Sequence, residues 1–374
     1  MGEPIRVLHI LQRMEAGGTQ ALLMNIYRKI DRTKVQFDFW VVYKEKQFYD
    51  DEIESMGGHV YKLSFREDLN LPKFQKDLKN FFKQHHEYQI VHCHAYTIGY
   101  FCLKAAKKAG IPVRIAHSHN NETVHDIKYL PKLFMQRLFT LNATDLFACS
   151  EEAGKYLFKD KPFRVLKNAI DSQQFIANEN TRREVRQELG LENKFVVGHV
   201  GRLHPQKNHD FLIDVFAEIK KKQPDAELIL VGTGPLEEKV RSKVADKGLT
   251  ESVQFLGNRK DMNQIYQAMD IFAFPSLFEG LGIVAIEAQA AGVPIVCSEG
   301  LPPETDITPI YRKLMLSDGA EKWAEAAIEM AQSSKAHTNM QKYIIDAGFD
   351  MNATAKNMEE YYLEKEAQIR EKNK

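Results

Sequence analysis

Short runs of β-branched and apolar residues alternate with helix-period stretches along almost the whole chain, and this alternation leaves few folds open. A strand that lies parallel to its predecessor needs a crossover, usually a helix. Repetition of that unit builds a parallel sheet covered on both faces. In the first half the strand candidates are Arg6–Leu11, Val35–Tyr43, His59–Leu63, Gln89–His94, Val113–Ser118, Leu146–Ser150 and Phe163–Leu166, with amphipathic stretches such as Leu71–His85 and Gly99–Ala109 between them. From Lys194 the alternation begins afresh with Phe195–Val200, Glu227–Val231, Val253–Leu256, Ile271–Pro275 and Pro294–Cys297. The expected fold is α/β: two doubly wound Rossmann-like domains over residues 1–168 and 169–350, and 374 residues suffice for a core in each. The join is expected in Lys167–Asn180, a polar segment with neither periodicity that reads as a hinge. The charged last stretch, residues 351–374, reads as a helix whose narrow stripe of Met358, Tyr361, Tyr362 and Ile369 either packs back across the domain junction or frays.

Composition removes several function classes. Basic and acidic residues balance at 51 each, which argues against a dedicated nucleic-acid binder. The balance hides an asymmetry: residues 1–168 hold 26 Lys and Arg against 19 Asp and Glu. A basic front half suits an anionic substrate or an anionic membrane surface, and equally a merely solvated face. Cys93, Cys102, Cys149 and Cys297 are scattered in apolar contexts without a Cys-x-x-Cys pair, as in a reducing compartment. No leader pattern opens the chain, and Glu287, Gln289 and Pro294 interrupt its longest apolar run. The expectation is a cytoplasmic protein, at most peripheral at the inner face of the cell membrane.

In parallel sheets of this kind ligands sit beyond the carboxyl ends of the strands, where loops enter helix N-termini. After the first strand, Gly17 and Gly18 open a helix; a double glycine admits a ligand close to the backbone, or simply makes a tight turn. The Gly-x-Gly-x-x-Gly spacing of a dinucleotide site is missing. In the second domain, Arg202 and Lys207 lie in the loop between Phe195–Val200 and the helix His209–Lys222, where two cations and a helix start suit a diphosphate without a metal ion. Gly232-Thr233-Gly234-Pro235 forms another close-approach loop.

The most informative segment is Pro275 to Ala288. A helix over Leu281–Ala291 would be apolar nearly all round, with Glu287 its only charge. A buried carboxylate needs a partner. Either an internal salt bridge supplies it, or the vicinal hydroxyls of a ligand such as a ribose do. Glu279 lies in the preceding loop and would face the same crevice, where Gly280 and Leu281 offer backbone N–H groups to a phosphate. Histidines form a separate set: His92 and His94 end one strand, and His117 and His119 end another. Such His-x-His pairs can hold a metal, which leaves a His-rich metal-dependent hydrolase as a rival function. No acidic residue stands beside either pair, and a cleft-lining or backbone-satisfied histidine is the plainer reading.

Taken in order, Gly17-Gly18, His119, Gly201-Arg202 with Lys207, Gly232-Thr233-Gly234-Pro235, and Glu279 followed by Glu287 resemble the retaining glycosyltransferases of family 4, which have the GT-B fold. The resemblance spans nearly the whole chain, and its most specific part is Pro275-Ser276-Leu277-Phe278-Glu279-Gly280-Leu281-Gly282. Segments such as Met24–Arg28, Ala116–Asn120 and Pro205–His209 look most like enzymes of bacterial exopolysaccharide or capsule synthesis.

The resemblance implies a cleft between the domains and a nucleotide diphosphate sugar, UDP-linked, bound mainly by the second one. Arg202 and Lys207 would grip the diphosphate, Glu287 the ribose and Glu279 the sugar. Gly280 and Leu281 would add N–H groups, Gly257 and Asn258 would border the base, and Gly18 would close over the donor. His119 would stand at the reacting centre, although His117, two residues earlier, competes for that place. Asn208 stands where many relatives have glycine, which should stiffen the loop slightly. The acceptor would be a saccharide or lipid-linked saccharide, attacking on the face from which the diphosphate leaves, with no cofactor and no metal required. Fixed cations and N–H dipoles favour such a step because negative charge builds on the leaving group. No carboxylate pair of the kind retaining glycosidases use is recognisable. An epimerase acting on a UDP-sugar is the alternative from another class.

Overall fold

The computed structural model describes residues 3–14, 18–63, 70–119, 138–332 and 335–372, which form two compact units. The first comprises Met1–Ala169 together with Met351–Lys374; the second comprises Ile170–Asp350. The chain thus leaves its first unit, builds the second, and returns.

The first unit contains β1 (Ile5–Ile10), β2 (Val35–Val41), β3 (Val60–Lys62), β4 (Ile90–Cys93), β5 (Val113–Ser118), β6 (Asp145–Ala148) and β7 (Arg164–Val165). They pair in the order β3-β2-β1-β4-β5-β6-β7, all parallel. The second unit contains β8 (Phe195–Val200), β9 (Ala226–Val231), β10 (Val253–Gly257), β11 (Ile271–Phe274), β12 (Ile295–Ser298) and β13 (Tyr311–Leu314), in the parallel order β10-β9-β8-β11-β12-β13. Both sheets therefore reverse direction once, between β1 and β4 and between β8 and β11.

All seven strands expected in the first half are present, the last reduced to two residues. The second half has one more strand than expected: Tyr311-Arg312-Lys313-Leu314 is too polar to stand out, because β13 lies at the sheet edge with only one neighbour. The expected hinge is corrected on its far side. Ile170 bridges to Asp350, Ser172 Oγ donates to Asp350 Oδ2 at 2.6 Å, and Ser172–Phe175 forms a 3-10 turn, so these residues belong to the second unit.

The last helix, Met351–Lys372, neither frays nor stands apart, being part of the first unit. Met351, Ala355, Met358, Tyr361, Tyr362 and Ile369 are buried in the same apolar cluster as Val7, Tyr27, Phe37 and Phe39. Tyr362 is wholly buried, and its hydroxyl is 2.7 Å from His92 Nδ1. Among the described residues, no helix is long and apolar enough to cross a membrane.

Tyr362→Ala should destabilise the first unit by about 3–5 kcal/mol, the usual cost of deleting a buried aromatic ring. Urea unfolding followed by near-UV circular dichroism checks this; a loss under about 1 kcal/mol would show that the helix is not integral to the core.

Candidate functional site

Where strand order reverses, the loops on either side diverge and leave a crevice at the carboxyl ends of the strands. In the second unit β8 and β11 are neighbours across that reversal, so topology alone brings the loop after β8, with Lys207, beside the loop after β11, with Glu279. Lys207 Nζ donates to Glu279 Oε1 at 2.6 Å, with side chains only 16% and 7% exposed. The same Nζ lies 4.8 Å from the ring centroid of Phe274. The loop backbones are also joined: Leu277 N donates to Gln206 O at 2.8 Å, Gln206 Nε2 to Phe278 O at 2.8 Å, and Glu279 N to Gly300 O at 2.9 Å. Asn208 turns the chain sharply into the helix His209–Lys222 with φ 54° and ψ 46°. That left-handed conformation suits glycine best and asparagine among the few others.

Gly232 extends the rim. Its φ is +129°, and a Cβ there would come 2.2 Å from Gly201 O, so no side chain fits. Gly232 N donates to Gly257 O at 2.8 Å, and Thr233 Oγ1 lies 3.5 Å from Asn258 Oδ1. The loops after β8, β9 and β10 thus form one continuous edge. Arg202 is exposed and, among the described residues, makes no ion pair.

The helix after β11 is shorter than expected, Ile283–Ala290, because Gly282 with φ +73° precedes it as the cap. Gly280 and Leu281 are therefore loop residues. Among the described residues neither of their N–H groups has an acceptor, and a Cβ on Gly280 would meet nothing within 4 Å. The two N–H groups are donors without acceptors just before a helix start, a position that suits an anion.

Glu287 lies one turn into this helix. The partner of its carboxylate is not a cation: Tyr266 Oη, from the helix Met262–Ala268, donates to Oε2 at 2.9 Å. No salt bridge to Glu287 forms among the described residues, so the salt-bridge alternative is set aside. Burial pushes this carboxyl up to about 7, against the pull of the Tyr266 hydrogen bond. One hydrogen bond leaves most of the carboxylate's accepting capacity unused.

In the first unit Gly17 lies outside the described residues, and Gly18 begins the helix Gly18–Lys29. His117 and His119 differ sharply. His117 is fully buried, its Nδ1 3.1 Å from His92 Nε2. His119 is partly exposed at the end of β5; its backbone N donates to Tyr96 Oη, and its Nε2 lies 2.8 Å from His94 Nδ1. His9, on β1, joins the group, with Nδ1 3.1 Å from His94 Nε2.

His9, His92 and His94, and likewise His94, His117 and His119, each bring three ring nitrogens within 4.8 Å of one another, a spacing that a metal could share. The rings, however, lie face to face: His92 and His94 at 21°, His117 and His119 at 28°. Ring lone pairs lie in the ring plane, so stacked imidazoles point them side by side rather than at a common centre. Sequence reasoning missed His9, Tyr96 and Tyr266, and named Tyr362 only for the apolar stripe of the last helix. Among the missed residues only His9 carried a signal, as a polar residue between Leu8 and Ile10 in a largely apolar strand.

A carboxyl raised on folding binds its proton more tightly in the folded than in the unfolded chain, so stability falls as pH rises from the ordinary glutamate range through about 7. Glu287→Gln lacks this dependence. The melting-temperature difference, variant minus wild type, should grow by a few degrees between pH 4.5 and 7.5 and then level off. A difference independent of pH in differential scanning calorimetry would overturn the assignment.

Comparison with known proteins agrees with this architecture. Residues 16–174 match the family model "Glycosyltransferase Family 4", and residues 181–347 match "Glycosyl transferases group 1". The chain is 34% identical to the Bacillus subtilis protein named "Putative glycosyltransferase EpsF", over 88% of both chains. It is 27% identical, over 79% of both, to the Escherichia coli UDP-Gal:alpha-D-GlcNAc-diphosphoundecaprenol alpha-1,3-galactosyltransferase. Anabaena HepE, solved in complex with UDP, superposes with a TM-score of 0.80 at 20% identity, over 96% of this chain and 100% of its own, a likeness of fold. With both halves matched and both sheets wound as the fold requires, the chain belongs to the GT-B glycosyltransferases of family 4.

Proposed function

We propose that this glycosyltransferase moves a sugar from a UDP-sugar to a saccharide or lipid-linked saccharide in exopolysaccharide or capsule synthesis, with retention of anomeric configuration and without a metal ion. The observation that carries the reading is the mouth of the crevice at β8 and β11. There the enclosed Lys207 meets Glu279, Arg202 is exposed, and among the described residues the N–H groups of Gly280 and Leu281 have no acceptor. The diphosphate lies against Lys207, Arg202 and the two N–H groups, and the ribose hydroxyls donate to Glu287. The base borders Gly257 and Asn258, and Glu279 and His119 attend the sugar. Support for the nucleotide and for a lipid-linked acceptor comes from the relatives: the Escherichia coli enzyme is named for UDP-Gal and a diphosphoundecaprenol acceptor, and HepE was solved with UDP.

In the reaction the bond from the anomeric carbon to the diphosphate oxygen breaks and its electron pair leaves with UDP. The acceptor oxygen bonds to that carbon on the same face, and its proton passes to a phosphate oxygen of the departing group. The protein's part is electrostatic: preorganised positive charge and dipoles hold the diphosphate more tightly as its charge grows. Gly18, at the start of its helix, and the basic residues of the first half are assigned to closing over the donor and to approaching an anionic membrane surface.

The test is turnover on a panel of UDP-sugars and GDP-mannose with an acceptor-lipid extract, with and without chelator. Acceptor-dependent UDP release that survives chelation is expected. UDP retained on an altered sugar would instead identify an epimerase, chelator-sensitive hydrolysis the metal hydrolase, and activity with GDP-mannose alone would overturn the donor. Lys207→Ala and Glu279→Ala should each lower kcat at least ~100-fold, the scale of one lost preorganised contact; near wild-type rates in either variant would refute the site.

A further inference from the structure

Five histidines from three adjacent strands of the first unit form two separate hydrogen-bonded strings. One runs from His9 Nδ1 to His94 Nε2 at 3.1 Å, then from His94 Nδ1 to His119 Nε2 at 2.8 Å. The other joins Tyr362 Oη to His92 Nδ1 at 2.7 Å and His92 Nε2 to His117 Nδ1 at 3.1 Å. No hydrogen bond links the two strings among the described residues.

We propose that His94, with His9 behind it, fixes the tautomer of His119, so that a neutral imidazole presents Nδ1–H as a hydrogen-bond donor to an oxygen of the transferred sugar. The second half of this inference rests on the reading above that places His119 beside that sugar.

A contact between two ring nitrogens holds one hydrogen, and a neutral imidazole carries one N–H. Three rings in line therefore have two consistent arrangements. In the first, every N–H points inward, and the string ends in an N–H at His9 Nε2. That nitrogen is buried and, among the described residues, has no partner. Phe37 and Phe39 line its ring, with centroids at 4.3 and 5.5 Å, and offer no conventional acceptor. In the second, every N–H points outward: His9 Nδ1–H donates to His94, His94 Nδ1–H donates to His119 Nε2, and the proton of His119 sits on Nδ1. The buried end is then a bare lone pair. An unsatisfied buried N–H is rarer in proteins than an under-used acceptor, so the outward arrangement prevails.

The rings are also neutral. Burial pushes His9 and His119 down to about 3, and burial with the neighbouring histidines holds His92, His94 and His117 well below the usual imidazole range. An imidazole whose Nε2 is occupied and whose Nδ1 is protonated cannot take a proton. That restriction agrees with a transfer in which the departing phosphate does so. His94 and His9 are thus positioning residues, acting only through His119.

The tautomer can be read without substrate. In the unliganded protein labelled with 15N-histidine, long-range 1H–15N correlation at pH 7.5 should show His119 Nδ1 protonated and Nε2 bare, with the resonance assigned by its loss in His119→Asn. A proton on Nε2 would overturn the proposal. His94→Asn puts an amide N–H where His94 Nδ1–H stands and should keep the tautomer and most of the turnover. His94→Asp puts an acceptor there and should reverse the tautomer, lowering kcat about tenfold or more while donor KM changes little. Circular dichroism melts establish that both variants fold. Reversal with unchanged kcat would overturn the role toward the sugar while leaving the tautomer assignment standing, and it would leave the UDP-sugar reading to its own assay.

Discussion

The reversal of strand order in the second sheet is the constraint on which its chemistry depends. Strands β8 and β11 are far apart in sequence but adjacent in the sheet, so the loops that follow them have to share a crevice. Lys207 and Glu279 meet there because each lies in one of those two loops. The glycines follow from the same crowding. Gly232 has to pass against the carbonyl of Gly201, and Gly282 has to turn the loop into the helix Ile283–Ala290 with a positive φ. Each is needed where backbone meets backbone or where φ is positive.

Most of the fold was legible because a parallel sheet buried on both faces writes its strands as near-continuous apolar runs. That signal fails where burial fails. β13, an edge strand with one partner, has too few apolar residues to register, and β7 contracted to Arg164–Val165 for the same reason. The segment after Lys167 read as a hinge because its order comes from long-range contacts: Ser172 and Ile170 are held by Asp350, which no local pattern in the sequence announces. The last helix showed its stripe clearly, but the stripe does not say which core it joins. Tyr362 is held by its contacts with His92 and the β1–β2 cluster.

The site was legible to the extent that loops carry it. Lys207 and Glu279 stood out by their place in strand-to-helix loops, and Glu287 as the one charge on an apolar helix; the structure pairs the first two and sets a tyrosine hydroxyl against the third. What the sequence withheld is the identity of the partners. Tyr266 satisfies Glu287 from the preceding helix, and His9 extends the string behind His119 from the far side of β4. Both are ordinary residues in ordinary elements, given a role only by the register of strands and the rotation of helices. Spacing therefore finds the group that performs the chemistry more readily than the group that holds it in place.

The two acids also illustrate different solutions to one problem. Glu279 is nearly inaccessible and has the Lys207 ammonium 2.6 Å away, whereas Glu287 has no cation among the described residues and burial pushes its carboxyl up to about 7. Under the proposed donor these solutions suit the two ends of the ligand. A diphosphate can draw on Lys207 only if the ammonium remains within reach of Glu279, which keeps that carboxylate from being stranded without a counter-charge. The ribose needs no charge at all. Its hydroxyls add donors to a carboxylate that otherwise has only that of Tyr266, stabilise the ionised form, and so turn a group that burdens the empty fold into one that favours the occupied one.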